Sequence, residues 1–312
     1  MARKRKPPLA LLNCLRNYYA RVEDDGYDAA DNSAKCYDLA IDTMRQKLVS
    51  FRCERIGPHK LYLGGCTQIL PLLPRVDAVV MDPPYCSGGF SETGKKQAKG
   101  MGLRSETIRD VGWFAGDNMT TAGISWLMSS VAGWCYQLLP DGGTLTAFTD
   151  WRMAGHLAPA IESARFRYQN LVVWNKGNAG LGTGFRAQHE LAMHFAKGTA
   201  AYHSFDYGNV LTIPRMHSSE REHQTEKPVD LMKQLLTVVS ADGATILDPF
   251  MGSGSTGVAC VKLGRRFIGI EIEPTYFEIA CRRITEAMNQ PDMFVESAKA
   301  PEPEQLTLSE AP

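Results

Sequence analysis

A short β-rich run, Ala244–Leu247, feeds directly into Asp248-Pro-Phe-Met-Gly-Ser-Gly-Ser-Thr-Gly257, and a helical pattern over Ser255–Leu263 leaves it. No other stretch restricts the fold so strongly. Gly252, Gly254 and Gly257 satisfy the spacing Gly-x-Gly-x-x-Gly. Glycines so placed permit a tight strand-to-helix turn and let the backbone approach a ligand closely. Glu271 follows Gly252 by 19 residues and ends the next β-rich run, Phe267–Glu271. An acid there can grip a ribose diol. Glycines alone read equally as a plain tight turn; the placement of Glu271 predicts a nucleoside-cofactor site. Two strands joined through a helix also require a parallel pair.

The same alternation runs upstream. Val76–Met81 is a β-rich run ending at Asp82. Thr121–Leu139 is helical and closes at Pro140-Asp-Gly-Gly143, before a strand over Thr144–Phe148. A helix over Ala154–Ala164, strands over Asn170–Trp174 and Leu191–Phe195, and a helix opening at Pro228 follow. In that last helix Leu231, Met232, Leu235, Leu236 and Val239 form one apolar stripe. Strands separated by helices imply a largely parallel sheet with both faces covered. Before this region, Ala34–Leu48 has helical spacing and residues 24–33 read as a loop.

With 312 residues the chain can bury a sizeable core without staples. No apolar run approaches the roughly 20 residues of a spanning helix. Lys+Arg and Asp+Glu both number 34, so a nucleic-acid partner would have to be met by local basic patches. None of the eight cysteines lies within 12 positions of another, which disfavours a zinc ribbon and points to free thiols. Arg3–Lys6 followed by Leu9–Leu12 mimics a secretion signal, but Pro7-Pro8 and Arg16 break it. A cytoplasmic protein is expected.

Asp82-Pro-Pro-Tyr85 directly follows a buried strand. Two prolines fix two φ angles and remove two N–H donors. A carboxylate beside such a carbonyl makes a two-acceptor clamp suited to a planar amino group, and Tyr85 adds a flat surface. As a bland reading, the prolines merely end the strand. Open α/β sheets bind ligands at such carboxyl ends, which favours the clamp.

Together these motifs resemble the S-adenosylmethionine-dependent amino-group DNA methyltransferases. The order, tetrapeptide first and glycine loop last, resembles their circularly permuted β class, and the prophage-encoded adenine-N6 members most of all. Leu61–Gly65, Leu138–Gly143, Val172–Lys176, Gln188–Glu190 and Thr225–Pro228 match further family segments, as do Tyr85–Gly89, Phe114–Asn118 and Phe148–Trp151. The resemblance spans about residues 60–287. It implies a class I, Rossmann-like α/β fold: a mixed seven-stranded sheet with its last hairpin antiparallel and helices on both faces. One departure stands out. The family usually carries Asp where Gly65 stands, to hold the adenine amino group of the cofactor.

What the resemblance implies for the site is specific. Asp82, Pro83, Pro84 and Tyr85 would act on a flipped-out base, Asp82 and the Pro83 carbonyl accepting from its amino group. Asp248, Phe250, Gly252, Gly254, Glu271 and Lys227 would hold S-adenosylmethionine; no metal is called for. Lys227 has two readings, a contact to the methionine carboxylate or a solvated residue at the start of the Pro228 helix. Asp248 either accepts from the cofactor or caps its turn. Double-stranded DNA is the implied partner, no membrane is involved, and the oligomeric state stays open, a homodimer included.

The expected organisation is an N-terminal extension over 1–57, a catalytic domain over 58–290 and a disordered acidic tail over 291–312. Within the domain, 86–118 reads as a mobile DNA-facing loop with Lys95, Lys96, Lys99, Arg104 and Arg109. Residues 196–224, with Tyr202, His203, Arg215, His217 and Arg221, stand where the β class carries target recognition. Lys95, Lys96, Lys99, Arg104 and Arg215 are the expected DNA contacts. Other readings remain: N4-cytosine methylation by the same machinery, a decayed fold that only binds DNA, and a nicotinamide-dependent dehydrogenase resting on the glycine spacing alone.

Overall fold

The computed structural model describes residues 51–85, 119–180, 184–215 and 226–290. The predicted helix over 34–48, the loop over 24–33, the 86–118 loop with Lys95, Lys96, Lys99 and Arg104, the stretch 216–224 and the tail over 291–312 lie outside the described residues.

In chain order the elements are β1 (Arg52–Ile56), β2 (His59–Leu63), α1 (Cys66–Ile69), β3 (Ala78–Met81), α2 (Thr121–Leu138), β4 (Thr144–Thr149), α3 (Ala154–Glu162), β5 (Arg167–Asn175), β6 (His189–Ala196), β7 (Val210–Thr212), α4 (Val229–Val239), β8 (Thr245–Asp248), α5 (Ser255–Lys262), β9 (Arg266–Glu271) and α6 (Pro274–Asn289). Local chemistry sets several boundaries. The Thr120 hydroxyl accepts from the Gly123 N–H at 3.1 Å and caps α2. Gly142, at φ 87°, turns the chain from α2 into β4. Pro274 opens α6, where its missing N–H costs nothing.

The strands form one mixed sheet in the order β1-β2-β9-β8-β3-β4-β6-β5-β7. It has nine strands, where seven were expected. The additions are the edge strands: β1, antiparallel to β2, and three-residue β7, parallel to β5. Because β1 pairs into the sheet, the folded unit starts before residue 58, inside the expected extension. The antiparallel hairpin β5–β6 stands in mid-chain, not last, and β6 is inserted between β4 and β5.

Alternate residues of the central strands feed two cores. Val79 and Met81 of β3 pack with Leu145, Ala147 and the buried faces of α2 and α3. Ala78 and Val80 pack with Phe148 and with α4, α5 and α6, where Leu231, Leu235, Val258, Phe277 and Ile284 are buried. The helices thus cover both faces, as the alternation predicts. Among the described residues no helix is long and apolar enough to cross a membrane.

Candidate active site

Strands β2, β9, β8, β3, β4, β5 and β7 all run one way, so their carboxyl ends share one rim of the sheet. β3 and β8 are direct neighbours, with Ala78 paired to Ile246 and Val79 to Leu247. Asp82 follows the first and the glycine loop follows the second. About 170 residues of chain between Asp82 and Gly252 are thereby closed to adjacent strand ends. β6 runs the other way, so its start reaches the same rim, where Glu190 pairs with Trp174 of β5.

Asp82, its side chain 25% exposed, sits in a partly buried polar cluster. One of its carboxylate oxygens accepts from the Tyr85 hydroxyl at 2.7 Å, and the other accepts from the Lys227 ammonium at 2.5 Å. Lys227 also lies 3.2 Å from Glu190 Oε2, and Lys176 pairs with the other oxygen of Glu190. The side chain of Lys227 is only 6% exposed. Its nitrogen lies over the rings of Phe148 and Tyr85, 5.0 and 5.5 Å from their centroids. The solvated reading of Lys227 is therefore wrong: the ammonium is committed to two carboxylates. Burial raises the Asp82 carboxyl above the usual carboxylate range, and Lys227 offsets only part of the rise. Burial would raise Glu190 too, but the ammoniums of Lys227 and Lys176 overcome it and hold it below that range. Burial, with Asp82 and Glu190 on either side, drives the Tyr85 hydroxyl well above its ordinary value, so it stays a donor. Pro83, Pro84 and Tyr85 line a narrow apolar cleft with Ile124, Phe148 and Met153.

The glycine loop is tied by the two acids that flank it. Asp248 accepts from the Phe250 N–H at 3.0 Å with one oxygen and from the Thr256 hydroxyl at 2.6 Å with the other. Of its two readings, the structure favours the turn cap. Burial pushes its carboxyl up to about 7. Glu271 accepts from the Gly252 N–H at 2.9 Å and from the Glu273 N–H at 2.8 Å, which orients its carboxylate across the loop. Gly252 and Gly254 hold φ of 51° and 84°, the left-handed region that glycine reaches freely. A Cβ at Gly254 would also stand 3.0 Å from Ala280 Cβ, whereas the space beside Gly252 is open. Phe250 is half-buried against the first core. The Ser255 hydroxyl, at the start of α5, is buried and has no hydrogen-bond partner among the described residues.

The sequence model of a known family, described as DNA methylase and covering the N6 and N4 amino-group enzymes, matches residues 76–282. The chain belongs to that family. It is 29% identical to the YubD protein of Escherichia coli (strain K12) over 71% of this chain and 88% of the relative. To the type II methyltransferase M.HinfI of Haemophilus influenzae it is 25% identical, over 80% of this chain and 75% of the relative. Two solved structures share the fold. The M1.HpyAVI–SAM complex superposes with a TM-score of 0.54 at 24% identity, covering 72% of this chain and 98% of that one. The cytosine-N4-specific PvuII DNA methyltransferase gives 0.55 at 15% identity, covering 74% and 91%.

Several site residues of this methylase carried no role in the sequence reading. Glu190 and Lys176 stood only as parts of matched segments. Arg283 of α6 had no signal at all. Its guanidinium donates to the Ser253 carbonyl at 2.7 Å and to the Ser253 hydroxyl at 2.9 Å, and it pairs with the buried Glu226 carboxylate. Glu226 directly precedes Lys227, so Arg283 joins the Lys227 segment to the glycine loop.

The expected recognition segment divides. Ala201 bonds to Gly142, and His203 to Val238, through the backbone. Both partners precede strands that end at the Asp82 rim, which puts Tyr202 and His203 at the opposite end of the sheet. Exposed Arg215 follows β7 and stands on the Asp82 side. Exposed Trp151, with the Arg152 guanidinium 5.0 Å from its ring centre, and exposed Phe185 beside Arg186 follow β4 and β5 on that same rim.

Proposed function

We propose that this methylase transfers the methyl group of S-adenosylmethionine to adenine N6 of a base flipped out of double-stranded DNA. The observation that carries this reading is the direct pairing of β3 with β8, which brings the Asp82 carboxylate and the glycine loop to one rim. The loop suits the cofactor on its own terms. Gly252 leaves open space, Glu271 offers a half-buried carboxylate at the strand end, and the Ser255 hydroxyl is an unfilled polar position. Phe250, Gly252, Gly254 and Glu271 would hold the nucleoside. When bound, the cofactor supplies an electrophilic methyl group on a sulfonium.

The residues of the chain do the rest by positioning and electrostatics. Adenine N6 is a poor nucleophile because its lone pair is delocalised into the ring. Asp82 and the Pro83 carbonyl accept its two N–H bonds, which favours a more tetrahedral nitrogen and frees the pair. Tyr85, anchored through its hydroxyl to Asp82, presents its ring to the base. Unstacking the base costs a few kcal/mol, and stacking on an aromatic ring returns about 1–3 kcal/mol. The rim residues Trp151, Arg152, Phe185, Arg186 and Arg215 offer rings and cations to the duplex, and Lys95, Lys96, Lys99 and Arg104 add further phosphate contacts.

Asp at the head of the tetrapeptide resembles the adenine enzymes and favours N6 over N4-cytosine. Expressing the chain in a host without adenine methylation, then mapping modified bases by direct single-molecule sequencing, tests this. N6-methyladenine at a defined motif is the expected result. N4-methylcytosine would reverse the choice of base, and unmodified DNA would reject the activity.

A further inference from the structure

We propose that Lys227 and Glu190 form a positioning pair for Asp82. Glu190 pins the Lys227 ammonium in place, and the ammonium keeps Asp82 ionised and aimed at the incoming amine. This rests on the reading of Asp82 as the amine acceptor.

Three distant segments meet in this cluster: Asp82 after β3, Glu190 on β6 and Lys227 just ahead of α4. A buried ammonium is costly unless its charge is matched. Here it is matched twice, at 2.5 Å from Asp82 and 3.2 Å from Glu190. One partner would satisfy the charge; the second fixes its position. Tyr85 repeats the arrangement, donating to Asp82 at 2.7 Å and lying 3.3 Å from Glu190. Lys176 on the far oxygen of Glu190 brings the four ionised side chains to neutrality. Among the described residues the groups that act on Asp82 are Lys227, Glu190 and Tyr85, with Asp248 behind them.

The two members of the pair act on Asp82 with opposite signs. Without Lys227, two partly buried carboxylates face each other with no cation between them, and one takes up a proton. A protonated Asp82 presents an O–H where the amine needs an acceptor. Without Glu190, Asp82 loses a repelling neighbour and ionises more easily, but the ammonium is no longer pinned. Lys227→Met should therefore move the low-pH fall in activity upward, and Glu190→Gln should move it downward. Loosened packing would slow both variants without moving either profile.

The test uses the full chain, labelled S-adenosylmethionine and unmethylated genomic DNA. Transfer is followed from about pH 5.5 to 9, since such profiles report the essential groups. S-adenosylhomocysteine binding by calorimetry reports an intact fold and cofactor site. Lys227→Met should lose at least about tenfold in rate at neutral pH and shift its low-pH fall up by about 1 unit or more. Lys227→Arg should restore most of the profile. Glu190→Gln should lower kcat with KM unchanged and shift the fall down. If Lys227→Met does not fold, Glu190→Gln decides the matter: a downward shift beside a near-parental Lys227→Arg profile supports the pair, and an unmoved or upward-shifted Glu190→Gln profile overturns it. Unmoved profiles, or shifts in the same direction, overturn the pair. So does lost cofactor binding in Lys227→Met with an unmoved profile, which would make Lys227 a cofactor contact. Asp82→Ala separates the two levels: an active Asp82→Ala protein defeats the acceptor reading itself, while an inactive one with unmoved Lys227 and Glu190 profiles defeats only the pair.

Discussion

The Lys227 ammonium lies 2.5 Å from a carboxylate oxygen of Asp82, across 145 positions of sequence. The Asp82 carboxylate thus has a built-in counter-ion, and the cation comes from the segment that leads toward the glycine loop. Chemistry at Asp82 and binding at Gly252 should nonetheless be separable by substitution.

Asp82→Ala is expected to abolish methyl transfer, by at least about a hundredfold, because the carboxylate contributes chiefly in the transition state. S-adenosylmethionine binding should stay close to that of the parent. Tritium transfer to DNA and calorimetry give the two readouts. Turnover at the parental rate would remove Asp82 from the chemistry.

Glu271→Ala should weaken S-adenosylmethionine binding by about 1.5–3 kcal/mol, the range for hydrogen bonds to a charged group. NAD should bind neither protein. Titration calorimetry decides; tight NAD binding, or an Ala variant with unchanged affinity, contradicts the assignment of this loop.

Asp248 should make stability fall as pH rises. Its folded carboxyl is pushed up to about 7 from an ordinary 3.8. Between those values the folded protein holds a proton that the unfolded chain has released. The contribution is therefore complete at low pH and lost as pH climbs through about 7, each unit being worth about 1.4 kcal/mol. Asp248→Asn keeps an acceptor for the Phe250 N–H, turns an NH2 donor toward the Thr256 hydroxyl oxygen, and does not ionise. Relative to the parent it should gain stability as the pH is raised from about 5 to 8. Urea unfolding at several pH values measures this, and parallel curves would speak against it.

Gly254→Ala should cost more stability than Gly252→Ala. Both residues hold positive φ, which costs a side chain about 1–2 kcal/mol. Only at Gly254 does the new methyl also meet Ala280, at 3.0 Å. Urea midpoints at fixed pH rank the two; equal losses would mean that helix α6 yields to the added carbon.

Changing Lys95, Lys96 and Lys99 together to Ala should weaken DNA binding evenly across sequences. Each phosphate left without its lysine should flatten the salt dependence by about 0.9 in log–log slope. The methylation motif should not change, because phosphate contacts carry no direct base information. Affinities at several salt concentrations would show parallel lines if these lysines miss the backbone.

The central sheet was legible because its strands are buried on both faces and its turns carry glycine and proline. Val79 and Val80, or Leu247 before Asp248, leave little room for another reading. Edge strand β1 was not legible, since Arg52, Glu54 and Arg55 interrupt any apolar alternation, and three-residue β7 is too short to show a period. Helix α6 hides its buried face, Phe277, Ala280 and Ile284, among charged neighbours. At the site, Asp82 and the glycine loop declare themselves because local geometry demands prolines and glycines. Glu190, Lys176 and Arg283 do not, because their partners come from other elements and only the assembled sheet brings them together.

Arg283 gives helix α6 an importance that its own surface does not suggest. One guanidinium grips Ser253 in the glycine loop and Glu226 beside Lys227. The two halves of the site, already joined through the pairing of β3 with β8, therefore share a further fastening outside both. Warming that frays α6 from its last turn inward should release them together. Affinity for the methyl donor and the rate of transfer should then decline over one temperature range, below that at which the sheet melts, so the working temperature of the enzyme would be set by a helix that lies outside both motifs.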